Sequence, residues 1–302
     1  MIEKDPENFK AHTQLGILYL DREEFEKSTQ HLKKALSINK QFPLALLSMG
    51  NLLFETNHPE DAIRFHERAL QYNPKELQAL IGLGNAFYDM QKPKDSIKYY
   101  KQAIEIDESL SDVHYNLGNA LYLVEKIDDA VHHYQKAIKL NPKKPESFYN
   151  LGNALCVKGE YQSAINSYDS ALGLDPKNAP ALYNLGNGLY MMNKYEEAIA
   201  SYQKALQIND SSPECHFNLA SAYNDLKDLQ YALHHYNRAV ELDEDNVDAH
   251  LCIGNIYEQH EAFDKARHQY EQALRIQPDN PKVIEALEKL NGNNKGSTQW
   301  MN

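Results

Sequence analysis

Eight positions spaced 34 residues apart decide what this chain can fold into: Gly16, Gly50, Gly84, Gly118, Gly152, Gly186, Ala220 and Gly254 recur without a slip. A fixed period of this length means one supersecondary motif repeated, each copy burying its apolar side against the next. With the small residue taken as position 8, repeats begin at residues 9, 43, 77, 111, 145, 179, 213 and 247 and fill 9–280. Position 27 is alanine in every repeat, from Ala35 to Ala273, and position 20 is Ser or Ala throughout. Position 24 is Leu32, then His66, then tyrosine in all six remaining repeats, from Tyr100 to Tyr270. Position 32 is proline in four repeats (Pro74, Pro142, Pro176, Pro278).

Apolar residues at three- and four-residue spacing over positions 1 to about 14, and again over about 17 to 30, predict two helices per repeat. Small residues at positions 8, 20 and 27 allow the helix axes to approach to roughly 8 Å. Proline at position 32 cannot continue a helix and separates one repeat from the next. No strand-like alternation is present.

Strings such as YNLGNALY (Tyr115–Tyr122) and YNLGNGLY (Tyr183–Tyr190), set in this period, carry a resemblance to the tetratricopeptide-repeat (TPR) family over about residues 2–291. Within the family, repeated NLGN is most similar to the superhelical repeat domain of O-linked N-acetylglucosamine transferase. The resemblance implies an all-α, right-handed α-solenoid superhelix of eight repeats. It also implies that the first helices line a concave groove and that the groove binds other proteins. Residues 1–8 match the close of a preceding repeat, as expected either of a fragment of a longer protein or of a ragged half-repeat that serves as a cap. Residues 281–291 are expected to form a capping helix with Glu288 at its position 8, and 292–302 a disordered tail that holds the single tryptophan, Trp300.

At 100° per residue, positions 2, 5, 6, 9, 12 and 13 of a first helix fall within about 60° of one direction. This set is the expected groove. Position 9 includes Asn119, Asn153 and Asn187, position 6 is Asn116, Asn150, Asn184 and Asn218, and position 5 brings Tyr115, Tyr149, Tyr183 and Phe217. Position 12 adds Tyr122 and Tyr190. Asparagine is a poor helix former, so its recurrence in mid-helix needs a reason. A carboxamide offers donor and acceptor together and can pair with an extended peptide backbone, or it can stitch one repeat to the next. For position 9 both readings stand; position 6, confined to repeats four to seven, is read as ligand contact. Position 13 runs Asp21, Glu55, Asp89, then Leu123, Val157, Met191, then Asp225. A Tyr/Asn/apolar centre with acidic surroundings suits a segment with apolar anchors and basic flanks.

The net charge of −12 argues against nucleic-acid or anionic-membrane binding, and no apolar run is long enough to span a bilayer. Three cysteines in different repeats (Cys156, Cys215, Cys252) suggest a reducing, cytoplasmic or nuclear setting. A chaperone-type carboxylate clamp, which the family builds from basic residues at positions 2, 5 and 6, is not expected, because only Lys10 is basic there. Adjacent histidines at 132–133 and 234–235 diverge on a helix and form no metal set. Histidines at positions 4 and 23 recur every 102 residues (12, 114, 216 and 31, 133, 235), as duplication of a three-repeat block would leave them. No catalytic constellation and no cofactor motif is present. The chain therefore reads as a scaffold or adaptor that binds an extended peptide. The alternatives are a substrate-recruiting arm of a larger enzyme, such as a glycosyltransferase, and a component of a large assembly.

Overall fold

The computed structural model describes residues 5–297, with side chains through Asn291. Among these the structure is α-helical, with no strand. It divides into two units, Met1–Lys158 and Gly159–Asn302. The first holds α1 (Phe9–Leu20), α2 (Phe25–Ile38), α3 (Pro43–Glu55), α4 (Pro59–Tyr72), α5 (Leu77–Asp89), α6 (Pro93–Ile106), α7 (Ser111–Leu123), α8 (Ile127–Leu140) and α9 (Pro145–Val157). The second holds α10 (Tyr161–Leu174), α11 (Ala179–Met191), α12 (Tyr195–Ile208), α13 (Pro213–Asp225), α14 (Leu229–Leu242), α15 (Val247–Gln259), α16 (Phe263–Ile276) and α17 (Pro281–Ser297). The final helix runs past Asn291 to Ser297 because no proline interrupts it, so residues 292–297, expected to be disordered, are helical. Residues 1–4 and 298–302, including Trp300, lie outside the described residues.

The chain turns between the helices of a hairpin on one residue at position 15, always in the left-handed region: Glu23, Asn57, Gln91, Glu125, Gly159, Asn193, Lys227 and Glu261, with φ from 56 to 76°. The following N–H reaches back to the carbonyl at position 11, as from Lys126 to Leu121 at 3.0 Å, and closes the helix end. Several second turns begin with Asn or Ser capping the helix; Asn178 Oδ1, for instance, accepts from the Ala181 N–H at 2.9 Å.

Packing follows the column residues. Ala62, Ala69, Ala103, Ala130, Ala137, Ala171 and Ala198 have no exposed surface. The position 24 tyrosine lies across the position 8 glycine: a Cβ on Gly84 would stand 2.3 Å from Tyr100 Cε1. That contact explains why glycine is kept in mid-helix despite costing roughly 1 kcal/mol relative to alanine. In the first unit the first helices of successive repeats lie side by side, α1 on α3, α3 on α5, α5 on α7 and α7 on α9. In the second unit α11 lies on α13 and α15 on α17.

The recurring histidines are rivets. His12, His114 and His216 bring Nδ1 to within 3.0, 2.9 and 3.1 Å of Nδ1 of His31, His133 and His235. Their Nε2 atoms meet the backbone carbonyls of Pro6, Glu108 and Asp210 at 3.1, 3.1 and 3.2 Å, and a carbonyl can only accept. Nε2 therefore carries the proton, Nδ1 accepts from the partner ring, and each pair ties a hairpin to the loop before it.

Candidate functional site

The asparagine columns meet the tyrosine column. Tyr100 donates to Asn85 Oδ1 at 2.7 Å, Tyr134 to Asn119 at 2.9 Å, Tyr202 to Asn187 at 2.8 Å and Tyr270 to Asn255 at 2.8 Å. These tyrosines are at most 2% exposed, so each hydroxyl needs an acceptor, and position 9 supplies it. Burial pushes the Tyr134 and Tyr202 phenols well above their ordinary range, which keeps them as donors. In repeat seven Ser221 takes the same place, 3.0 Å from the Tyr236 hydroxyl.

Position 6 of the following repeat donates to the same oxygen. Asn116 Nδ2 lies 3.3 Å from Asn85 Oδ1, Asn150 Nδ2 2.9 Å from Asn119 Oδ1, and Asn218 Nδ2 2.9 Å from Asn187 Oδ1. Asn150 and Asn218 also donate to the hydroxyls of Tyr115 and Tyr183, at 3.0 and 2.9 Å. One asparagine oxygen thus joins the two helices of its own hairpin to the first helix of the next. Stitching is one of the two readings that the sequence leaves open for position 9; the structure adds that position 6, read from sequence as ligand contact, gives N–H groups to the same stitch.

In the first unit the groove side of these residues opens as a run of three clefts. Leu20, Phe25, Asn51, Phe54 and Asn85 are among the residues around the first, of about 400 Å³. Phe54, Asn85, Tyr88, Asn116 and Asn119 line the second, of about 230 Å³. Tyr88, Tyr115, Asn119, Tyr122, Leu123, Tyr134, Asn150 and Asn153 line the third, of about 310 Å³. Shared residues make the three one trough along α3, α5, α7 and α9. Of the residues singled out from sequence, this unit brings together Asn116, Asn119, Asn150, Asn153, Tyr115 and Tyr122, while Tyr149 stands half-buried on α9. Lys144 covers part of the Tyr115 ring, its ammonium 4.1 Å from the ring centre and 2.7 Å from Asp112. Leu123, which lines the third cleft, is 56% exposed, and Val157, at the same repeat position on α9, is 59% exposed.

The second unit has its own cleft of about 320 Å³, lined by Asn187, Tyr190, Met191, Tyr202, Phe217, Asn218 and Ser221. Tyr183 borders it through its bond to Asn218, and Asn184 Oδ1 accepts from Asn187 Nδ2 at 3.4 Å. Tyr190 donates to Asp225 at 2.5 Å, so that carboxylate, unlike Asp21 and Glu55, already has a partner in the fold.

Nothing in these clefts is arranged as a nucleophile and base. None of the three cysteines is in a disulfide, and burial pushes the Cys215 thiol up to about 12 and raises that of Cys252, so neither of these two is a ready thiolate. Among the described residues no group of three or more His, Cys, Asp and Glu is placed to hold a metal ion, and no helix is long and apolar enough to cross a membrane.

Sequence profiles described as "TPR repeat" match residues 84–124, 152–193, 186–227 and 220–261, and others described as "Tetratricopeptide repeat" match 9–42, 111–144, 133–166 and 247–280. Protein O-mannosyl-transferase Tmtc3 of Drosophila melanogaster is 34% identical over 65 residues, 22% of this chain and 7% of that protein's length. The crystal structure of YrrB, described as a TPR protein with an unusual peptide-binding site, is 26% identical, with a TM-score of 0.56 over 63% of this chain and 97% of YrrB. The C-terminal part of a TPR repeat-containing protein from Cytophaga hutchinsonii shares the fold at a TM-score of 0.68, over 80% of this chain and 99% of that one, with 19% identity.

Proposed function

The chain belongs to the tetratricopeptide-repeat family, and we propose that it is a non-catalytic scaffold that holds an extended protein segment along its first helices. The observation that carries this reading is the trough in the first unit, where Phe54, Tyr88 and Tyr122 stand over an asparagine floor with Leu123 exposed beside them. Neighbouring helices lie about 10 Å apart and an extended chain advances about 3.3 Å per residue, so each repeat meets roughly three ligand residues. The asparagine N–H groups that bind the preceding repeat are committed, which leaves the remaining amide atoms of Asn116, Asn119 and Asn150 to face a ligand backbone. Three such bonds at about 1 kcal/mol each fall short of millimolar affinity. Micromolar binding needs about 5 kcal/mol more, which about 200 Å² of covered apolar surface supplies before association costs. Tyr115, Tyr122, Leu123 and Val157, and in the second unit Tyr183, Tyr190 and Met191, provide that surface. A segment with apolar anchors and basic flanks, met in a reducing cytoplasmic or nuclear compartment, fits this lining. YrrB, whose structure is described by its peptide-binding site, supports the reading by its similarity over most of its own length.

The test is selection of a displayed random dodecapeptide library on the full chain. Binding of the selected peptides should fall at least tenfold, about 1.4 kcal/mol, in a Tyr122→Ala/Leu123→Glu variant and stay unchanged in Tyr231→Ala, which alters an exposed second-helix residue. Equal binding by the parent and the trough variant would remove the reading. The match to Tmtc3 favours a second one, in which these repeats recruit substrate for an enzyme whose catalytic part is elsewhere. Under it the chain binds peptides derived from glycosylated proteins yet transfers no sugar by itself.

A further inference from the structure

The Tyr–Asn–Asn stitch is absent at one layer where its acceptor remains. Position 9 of repeat two is Asn51, but position 24 is His66 instead of tyrosine, and position 6 of repeat three is Gly82 instead of asparagine. Both donors that engage Asn85 and Asn119 are gone, and Asn51 makes no side-chain hydrogen bond. His66 is wedged between two glycines: a Cβ on Gly82 would stand 2.4 Å from its Nε2, and one on Gly50 2.6 Å from its Cε1. The ring has no exposed surface and neither nitrogen has a partner. A neutral imidazole has one N–H and one lone pair, and leaving such groups unmet costs about 1–3 kcal/mol each. Repeat one avoids the problem by placing Ile17 and Leu32 in the same columns.

The vacancy coincides with the largest of the three clefts of the trough, about 400 Å³. Asn51, Gly82 and His66 lie at its base, Phe54 and Ile81 form an apolar wall, and Asp21, Glu23 and Glu55 stand around it. The carboxylates of Asp21 and Glu55 have no cationic partner. Burial brings the His66 imidazole down to about 4, so the base of the cleft is uncharged at neutral pH and does not oppose a cation. The site thus offers acceptors (the Asn51 oxygen and two free carboxylates) at the end of an apolar wall. A ligand group matching it carries several donors, a positive charge and an aliphatic stem. Lysine has all three in one side chain, and arginine adds a planar head that stacks on an aromatic ring.

We propose that this cleft is the subsite for one basic side chain of the bound segment: its stem lies on Phe54 and Ile81, and its ammonium or guanidinium donates to Asn51 Oδ1, Asp21 and Glu55. The proposal rests on the groove reading above and fixes where along the trough the basic residue sits, about two repeats from the Tyr88–Tyr122 cleft.

The probe is the peptide selected from the dodecapeptide library, remade with each Lys or Arg replaced singly by norleucine, which keeps the stem and removes the charge. On the parent chain one replacement should weaken binding roughly tenfold or more, the size of a lost charge-assisted bond. Two variants then locate the effect. Asp21→Asn/Glu55→Gln removes the charge. His66→Tyr/Gly82→Asn rebuilds the stitch seen at Asn85 and fills the cleft. Each should bind the original and the norleucine peptide equally, while Tyr122→Ala/Leu123→Glu weakens both peptides and preserves the ratio between them. Swapping Lys for Arg in the peptide identifies the preferred head group. If both subsite variants keep the parent's penalty for norleucine, the subsite assignment is wrong although the groove reading stands. If no replacement matters on the parent, it is likewise wrong. If the trough variant binds as the parent does, or the library yields no binder, the groove reading falls and takes the subsite with it. Circular dichroism checks each variant; should the stitch variant lose helicity, the charge variant, confined to the rim, decides alone.

Discussion

Removing the carboxamide at Asn119 should expose how much the stitch holds. Its Oδ1 accepts from the Tyr134 hydroxyl and from Asn150 Nδ2, both at 2.9 Å, and Tyr134 is 2% exposed. In Asn119→Ala the phenol is left buried without an acceptor, which costs about 1–3 kcal/mol. Asn150 keeps its bond to Tyr115 at 3.0 Å, so its loss is about 1 kcal/mol at most. Alanine returns roughly 0.6 kcal/mol through helix propensity. The net expectation is destabilisation by roughly 0.5–3.5 kcal/mol. Tyr134→Phe should cost only about 1 kcal/mol, because the oxygen it vacates is still used by Asn150. The double variant has no orphaned phenol, so it should be more stable than the sum of the single effects by about 1–2 kcal/mol. A repeat array need not unfold in one step, so the measurement is native-state hydrogen exchange over α7, α8 and α9, with urea unfolding alongside. Additive single effects, or an Asn119→Ala chain as protected as the parent, would refute the stitch.

Three further expectations follow from the packing, the turns and the histidine pairs. Ala171 has no exposed surface, and Ala171→Leu should overpack the interface and cost roughly 1–3 kcal/mol in urea unfolding; an unchanged midpoint would contradict the assigned helix faces. Glu125 sits at φ 59°, so Glu125→Gly should raise stability by up to about 1 kcal/mol, and a clear loss would show that the Glu125 side chain makes a contact worth more than the strain. Burial holds His133 and His235 down at about 4, below the ordinary 6.5, so the unfolded chain binds more protons between those values and stability is lost as pH falls through that window. Replacing both by Gln, the residue that Gln269 presents to His250 at 2.7 Å, should make the melting temperature fall less between about pH 7 and about pH 5; an equal fall would sink this account.

How far the sequence could be read depended on whether a feature was local. The helix spans came from spacing alone: Pro43–Glu55 and Phe25–Ile38 occupy positions 1–13 and 17–30 as the apolar period requires. The left-handed turn at position 15 was invisible, because Glu, Gln, Asn and Lys fill it in seven repeats and only Gly159 announces it. There the closure of the two helices overrides residue preference. The asparagine columns stood out as columns, but a carboxamide does not reveal its partner. Which way Asn150 donates depends on where α7 and α8 place Asn119 and Tyr134, a tertiary fact. His66 was legible as an exception to the tyrosine column, yet its meaning required Gly82, sixteen residues on, to be seen beneath the same cleft.

This coupling of stitch and groove bears on how any groove in such an array is tested. Replacing Asn116, Asn150, Asn184 and Asn218 together by Ala would strip, at Asn116, Asn150 and Asn218, the donors that tie repeats to one another along with any ligand contact. Loss of binding in that variant would say nothing about which role failed. The side chains that separate the two are those outside the stitch. Leu123 and Val157 are more than half exposed, so changing them alters the trough and leaves the tie between hairpins alone. Physical economy points the same way. A scaffold with a fixed asparagine floor has uniform spacing and little preference among peptide backbones, and its selectivity is free to change at positions 12 and 13 without loss of fold. The acidic run Asp21, Glu55, Asp89 and the apolar run Leu123, Val157 are two settings of one column on a common frame. A Leu123→Asp/Val157→Asp variant should therefore keep its helicity and melting temperature while its selected peptides gain Lys and Arg at the corresponding positions. Unchanged peptide preferences in a folded variant would mean that position 13 does not face the ligand.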